Sequence, residues 1–195
     1  TPLTERGRLR GAPRRKKGSP ALVVSGTSWT PDEDFGLLID AACLYDELAT
    51  AASHPDVVFV VTGKGPMRAE LEARMRSLAL RRVSFRTAWL EAADYPVLLG
   101  SADLGVSLHV SSSGLDLPMK VVDMFGCGVP VVQARYEAVG ELVHEGEDGL
   151  LFSGSEELAA ALLEALEGFP GRPARLQELR RGVERLQRER WADHW

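Results

Sequence analysis

Only two cysteines occur in the 195 residues, Cys43 and Cys127, and no Cys-x-x-Cys spacing is present. That excludes a disulfide framework and a zinc site built on paired thiolates, and it points to reduced core thiols in a cytosolic setting. Long apolar runs are missing too. No stretch reaches the roughly 18 to 20 residues needed to span a bilayer, and the N-terminus has no apolar core of a signal peptide. Basic charge is also scarce: 23 Lys and Arg against 28 Asp and Glu give a formal net charge of −5, with a pI near 5.5. This balance argues against a general nucleic-acid face and confines any phosphate site to a local cluster. Two glycine signatures are absent as well. The GxxxxGK[ST] loop does not occur, and after Gly63 and Gly65 the third position of a dinucleotide fingerprint is Arg68. An NAD-dependent oxidoreductase is thereby disfavoured.

What is present is an ordinary globular composition, 45% hydrophobic and 26% charged, long enough for one sizeable core and too short for a second full domain. The sequence opens on Thr1 rather than Met, so a fragment of a longer protein is expected. Residues 1–20 gather Arg, Lys, Gly and Pro around Arg14-Arg15-Lys16-Lys17 and are expected to form a flexible basic lead-in. From Ala21 onward short apolar runs alternate with longer amphipathic ones, the pattern of βα units around a parallel sheet. The strands expected are Ala21–Ser25, Val57–Thr62, Val83–Thr87, Leu104–Val110, Val129–Ala134 and Leu150–Phe152. Helices are expected over Phe35–Ala52, Met67–Leu80, Asp94–Ser101, Met119–Cys127, Val139–His144, Ser155–Glu167 and from Ala174 to about Trp191. The fold class is therefore α/β, a Rossmann-like doubly wound parallel sheet over 21–172 with a C-terminal helix in 173–195. In such sheets a ligand sits beyond the carboxyl ends of the strands, which singles out loops 26–34, 63–66, 88–93, 111–117 and 135–138.

Several residues with chemistry fall in those loops. Pro118 and Lys120 open a helix whose first turn combines unpaired backbone N–H groups, a partial positive charge and a full one, a combination suited to a phosphate. Asp123 follows one turn later on the same face, where it could accept from ribose hydroxyls or simply form an exposed helical ion pair with Lys120. Gly63-Lys64-Gly65-Pro66 ends a strand with a glycine-flanked lysine, either a second phosphate contact or a plain tight turn. Ser111-Ser112-Ser113-Gly114 offers hydroxyls and a permissive backbone, and His109 precedes it as a catalytic or merely structural group. Asp32-Glu33-Asp34 invites a divalent-metal reading, but its place just before the Phe35 helix favours capping of the helix dipole. Trp29, Trp89 and Tyr95 are aromatics at strand ends, available for stacking a base or sugar and equally for packing.

Ser28-Trp29-Thr30-Pro31-Asp32-Glu33-Asp34-Phe35, Thr62-Gly63-Lys64-Gly65-Pro66, Ala88-Trp89-Leu90-Glu91-Ala92-Ala93-Asp94-Tyr95-Pro96 and the run from Gly100 to Pro130 closely resemble the chitobiosyldiphosphodolichol β-mannosyltransferases. The resemblance extends from about Ala21 to Trp195. It implies the C-terminal half of a GT-B glycosyltransferase, which holds the sugar nucleotide while a second Rossmann-like half faces it. By that resemblance Gly63, Lys64, Gly65, Ser113 and Gly114 approach the diphosphate of GDP-mannose, Lys120 pairs with it, and Asp123 accepts from the ribose. Many GT-B enzymes carry two glutamates eight positions apart; here the second falls on Asp123 and the first on Leu115, so Asp116 is the candidate replacement. The implied reaction transfers mannose with inversion to a dolichol-linked chitobiose at the cytosolic face of the endoplasmic reticulum, early in protein N-glycosylation. Other early glycosyltransferases of that pathway are implied partners, and nucleic acid is not. No metal is required, because cationic groups offset the leaving diphosphate, although a divalent ion is compatible with the chemistry. The catalytic base is expected in the absent N-terminal half. The competing expectation is a truncated family member that binds nucleotide sugar without catalysis, as an interaction module.

Overall fold

The computed structural model describes residues 18–30, 33–52, 54–111 and 113–188. Arg14-Arg15-Lys16-Lys17, Asp32, Ser112, Trp191 and Trp195 lie outside the described residues. Among the described residues six strands, β1 (Ala21–Gly26), β2 (Val57–Thr62), β3 (Val83–Ala88), β4 (Leu104–Ser107), β5 (Val131–Ala134) and β6 (Gly149–Phe152), form one sheet in the order β3-β2-β1-β4-β5-β6. Every neighbouring pair is parallel. Each strand is followed by helix or turn: α1 (Phe35–Ala52), α2 (Arg68–Ser77), α3 (Tyr95–Ser101), α4 (Met119–Gly126), a 3₁₀ turn (Glu137–Glu141), α5 (Ser155–Leu166) and α6 (Ala174–Leu186).

The two sheet faces have separate cores. Ala21, Val23, Phe59, Val61, Leu104 and Val106 point toward α1, α2 and α5, whose Leu38, Tyr45, Leu71, Leu158 and Leu162 complete the larger cluster. Val24 and Val131 face the other way, onto Leu99 of α3 and Val121, Met124 and Phe125 of α4. Helix α6 closes the domain by contributing Leu176 and Leu179 to the first cluster and Val183 to the second. Strands β4 and β5 are buried along their whole length, which is why they read as continuous apolar or small-residue runs without alternation.

The ends of several elements differ from their sequence patterns, each for a local reason. β4 stops at Ser107 rather than Val110, because the Gln133 amide donates to the His109 carbonyl at 2.8 Å and takes over from the ladder. β5 starts at Val131 because Pro130 has no N–H to give. The helix expected over Val139–His144 is instead the short 3₁₀ turn, after which Asp148 accepts from the His144 N–H at 2.9 Å and pairs with its ring at 2.7 Å. One carboxylate on α1 aligns the sheet edge: Asp46 Oδ1 accepts the N–H groups of Arg81, Arg82 and Val83 at 2.9, 2.6 and 3.0 Å. Connections leave β1 and β4 in opposite directions, so the carboxyl ends of these two strands form the crevice of the sheet.

Candidate functional site

Beyond that crevice lies an open cleft of about 420 Å³ lined by Gly26, Thr27, Ser28, Thr62, Gly63, Trp89, Leu90, Ala92, Tyr95 and Lys120. Four loops or helix starts meet there. The turn after β1 supplies Gly26 to Ser28, the turn after β2 supplies Gly63, the turn after β3 supplies Trp89, and α4 reaches in from across β4 with Lys120. Among the described residues no side chain caps α4; Pro118 stands at its N-cap and its carbonyl accepts the Val121 N–H at 2.9 Å, which leaves the Met119 and Lys120 N–H groups at the open end of the helix.

Lys120 has a different partner from the one its local spacing suggests. Its ammonium forms an ion pair with Glu33 and also donates to the Gly26 carbonyl at 3.3 Å. Asp123, one turn along α4, is exposed and takes no part in that pair. Magnitudes explain the choice: an exposed i,i+3 pair contributes about 0.2–0.5 kcal/mol, whereas a buried carboxylate left without a counter-charge costs several kcal/mol. Glu33 is such a group, its side chain 5% exposed against 21% for Lys120. Its Oε2 accepts the Ser28 N–H at 2.9 Å. Burial pushes the Glu33 carboxyl up, but hydrogen bonds from Lys120, Thr27 and Ser28 and the ammonium charge outweigh it and hold the group below the ordinary carboxylate value.

The capping expected of the acidic triplet is thus divided. Asp34 does cap α1, accepting the Leu37 N–H at 3.3 Å, while Glu33 turns inward to Lys120. Composition gave no warning of this, since all three acids sit before the same helix. The only available signal was Thr27, whose hydroxyl both accepts from the Trp29 N–H at 3.0 Å and bonds Glu33, shaping a loop that folds the glutamate back.

The glycines at 63 and 65 serve a close approach of two backbones. A Cβ on Gly63 would lie 1.7 Å from the Thr27 carbonyl oxygen, and one on Gly65 would lie 1.8 Å from that of Ser28. Gly63 also has a φ of +139°, in the region that side chains disfavour. Gly63 lines the cleft and Gly65 does not. Between them Lys64 places its ammonium 4.0 Å above the Trp89 ring, a cation–π contact at the rim. Trp89 is half exposed and Tyr95 half-buried, both on the cleft wall, whereas Trp29 is buried against Phe35 and belongs to the core. Burial raises the Tyr95 phenol, and the negative charge of Asp123 raises it further; Asp123 itself is exposed and does not line the cleft.

The described residues of the 111–117 loop, 111 and 113–117, are not among those lining the cleft, and they are organised around Asp116. Ser111 and Ser113 hydroxyls donate to this carboxylate, the second at 3.3 Å, and His109 Nε2 pairs with it at 2.8 Å. The Tyr136 hydroxyl donates to its carbonyl at 2.9 Å. The Ser111 hydroxyl, followed by His109, holds the Asp116 carboxyl below its usual range. Both oxygens of Asp116 are therefore engaged within the loop, and His109 is engaged with them. Gly114 has a φ of +77° with open space around it, and Leu115 is 78% exposed. The structure thus gathers Gly63, Lys64 and Lys120 around one cleft, leaves Asp123 exposed one turn along α4 from Lys120, and sets Ser113, Gly114, His109 and Asp116 in a loop that leads into the start of α4. Among the described residues no group of three His, Cys, Asp or Glu side chains is placed to hold a metal.

The chain is similar to known proteins. The sequence profile described as "Glycosyl transferases group 1" matches residues 19–168. The UDP-glycosyltransferase TURAN of Arabidopsis thaliana is 53% identical over 92% of this chain and 42% of its own length. The chitobiosyldiphosphodolichol beta-mannosyltransferase of Mus musculus is 50% identical over 99% of this chain and 40% of its own length. The chain therefore spans about two fifths of the curated relatives it matches. Among solved structures, Anabaena HepE in complex with UDP superposes with a TM-score of 0.65 at 24% identity, over 86% of this chain and 44% of that one. One parallel sheet, its crevice and this profile fit together as a single Rossmann-like unit of the GT-B fold, and the chain belongs to the group 1 glycosyltransferases.

Proposed function

We propose that this chain is the donor-binding, C-terminal half of an inverting mannosyltransferase that transfers mannose from GDP-mannose to chitobiosyl-diphosphodolichol at the cytosolic face of the endoplasmic reticulum. The observation that carries the reading is Lys120. A lysine in the uncapped first turn of α4 presents its ammonium to the crevice between β1 and β4, where a helix dipole and open N–H groups act in the same direction. Lys120 meets the diphosphate, Lys64 and the 63–65 turn flank it, Trp89 and Tyr95 form an aromatic wall for the base, and Asp123 accepts from the ribose. Ser113 and Gly114 approach from the adjoining loop.

In a single displacement the acceptor hydroxyl attacks the anomeric carbon as GDP departs, and the bond to the diphosphate breaks with charge accumulating on its oxygens. Cations fixed in place before the reaction stabilise that charge most effectively. The reading uses no metal, because Lys120 and the α4 N-terminus carry that task. The base that takes the acceptor proton belongs to a facing half, and other early glycosyltransferases of the pathway are its partners. Support for the mannose and dolichol assignment comes from the name of the mouse relative, and support for a nucleotide ligand from the UDP complex of HepE, which shares the fold. No described helix is long and apolar enough to cross a membrane.

Calorimetric titration with GDP-mannose, with UDP-glucose as competitor class, tests the reading. We expect GDP-mannose to bind and UDP-glucose to bind more weakly; a chain that binds neither refutes a donor site, and one that prefers UDP-glucose refutes the guanine assignment.

A further inference from the structure

The ion pair at the cleft floor poses a problem of charge. A lysine suited to a diphosphate is neutralised by a carboxylate that is itself nearly inaccessible. That carboxylate is built in. Glu33 Oε2 is tied to the Ser28 N–H at 2.9 Å, the Thr27 hydroxyl bonds it as well, and Lys120 occupies Oε1. Backbone contacts at Gly63 and Gly65 clamp the same 27–28 segment from the other side. Glu33 is therefore held in place and stays beside the ammonium when an anion arrives.

We propose that Glu33 is a positioning residue that presets the Lys120 ammonium and competes with the diphosphate for it, so that the sugar-free product is expelled. The inference rests on the reading of the cleft as a diphosphate site and adds a role in product release. Its chemistry is a difference in charge. A nucleoside diphosphate esterified by a sugar carries one negative charge fewer than the free nucleoside diphosphate at neutral pH. A fixed carboxylate close by repels the product more than the donor, and the repulsion is strong because both sit in a partly dehydrated cleft. Lys120, shared with Glu33 and the Gly26 carbonyl, attracts the more highly charged product more strongly than the donor, and the Glu33 carboxylate offsets that preference so that the product is not retained.

The test titrates the full 195-residue chain and its Glu33→Gln and Glu33→Asp variants with GDP, GDP-mannose and inorganic pyrophosphate, after a thermal scan of each variant. Glutamine keeps an oxygen for Lys120 and removes the charge. We expect Glu33→Gln to bind GDP and pyrophosphate on the order of tenfold tighter, and GDP-mannose tighter by a clearly smaller factor. Aspartate keeps the charge but withdraws it by one methylene, so its ratio of GDP to GDP-mannose affinity should fall between wild type and glutamine. A purely structural role would move both ligands together. An unchanged or reversed ratio in Glu33→Gln overturns the proposal; should that variant not fold, an unchanged or reversed ratio in Glu33→Asp does so. Absence of GDP and pyrophosphate binding in the wild-type chain would instead refute the cleft as a diphosphate site.

Discussion

Replacing Gly63 by alanine brings two separate costs to one position, and a second glycine allows them to be separated. At Gly63 an added Cβ would stand 1.7 Å from the Thr27 carbonyl oxygen and 2.9 Å from its carbon, backbone atoms that cannot swing aside like a flexible side chain. Moving them displaces the 27–28 segment and with it the N–H that holds Glu33. Overpacking of this kind costs about 1–3 kcal/mol, and a side chain at positive φ adds roughly 1–2 kcal/mol. The expected destabilisation is about 2–5 kcal/mol, a large part of the roughly 5–15 kcal/mol that holds a domain together. Gly114 has a similarly left-handed φ of +77°, yet nothing lies within 4 Å of its added Cβ. Gly114→Ala should therefore cost only the conformational part, roughly 1–2 kcal/mol. Urea unfolding followed by circular dichroism reads both, and in thermal scans each kcal/mol moves the midpoint by about 2–4 °C for a chain of this size. If Gly63→Ala is no less stable than Gly114→Ala, the close approach of the two loops does not shape the site as argued.

Lys120→Ala should weaken GDP-mannose binding by about 1.5–3 kcal/mol, the range of a charge-assisted contact, and should also lower stability by roughly 3 kcal/mol because it leaves the buried Glu33 without its counter-charge; calorimetry below the lowered unfolding midpoint, beside urea unfolding of the variant, checks both. Asp46→Ala strands the three N–H groups that Oδ1 now accepts, and at about 1–3 kcal/mol for an unsatisfied buried group, moderated by water at the edge, a loss near 3 kcal/mol is expected in urea unfolding. Because the folded Glu33 carboxyl is held below its ordinary value, its stabilising contribution is complete above the unfolded value of about 4.3. That contribution is lost as pH falls through the lower folded value. The stability difference between wild type and Glu33→Gln should accordingly shrink on acidification below the ordinary glutamate value, and a difference independent of pH would contradict the assigned ionisation.

Much of the fold was legible because its physics is periodic. Short apolar runs separated by amphipathic stretches give parallel strands and covering helices, and the runs at β1, β2, β3 and β6 fall within a residue of the observed ends. The errors lie where a side chain rather than the backbone ladder ends an element, as Gln133 does for β4 and Asp148 does after the 3₁₀ turn. The loops bearing Gly63, Lys64 and Lys120 were marked by position alone, since a doubly wound sheet gathers ligands at its carboxyl edge. Glu33 was passed over because helix-dipole capping explained it well enough locally.

By itself the sequence determined the class of fold, the edge of the sheet where the candidate cleft lies, and the family, because these follow from patterns within a few residues of one another. Tertiary structure alone decided which carboxylate Lys120 takes. Glu33 lies 87 residues away along the chain, and only folding makes it the buried group in need of a cation. Asp123, close in sequence, stays exposed to water and does not need one.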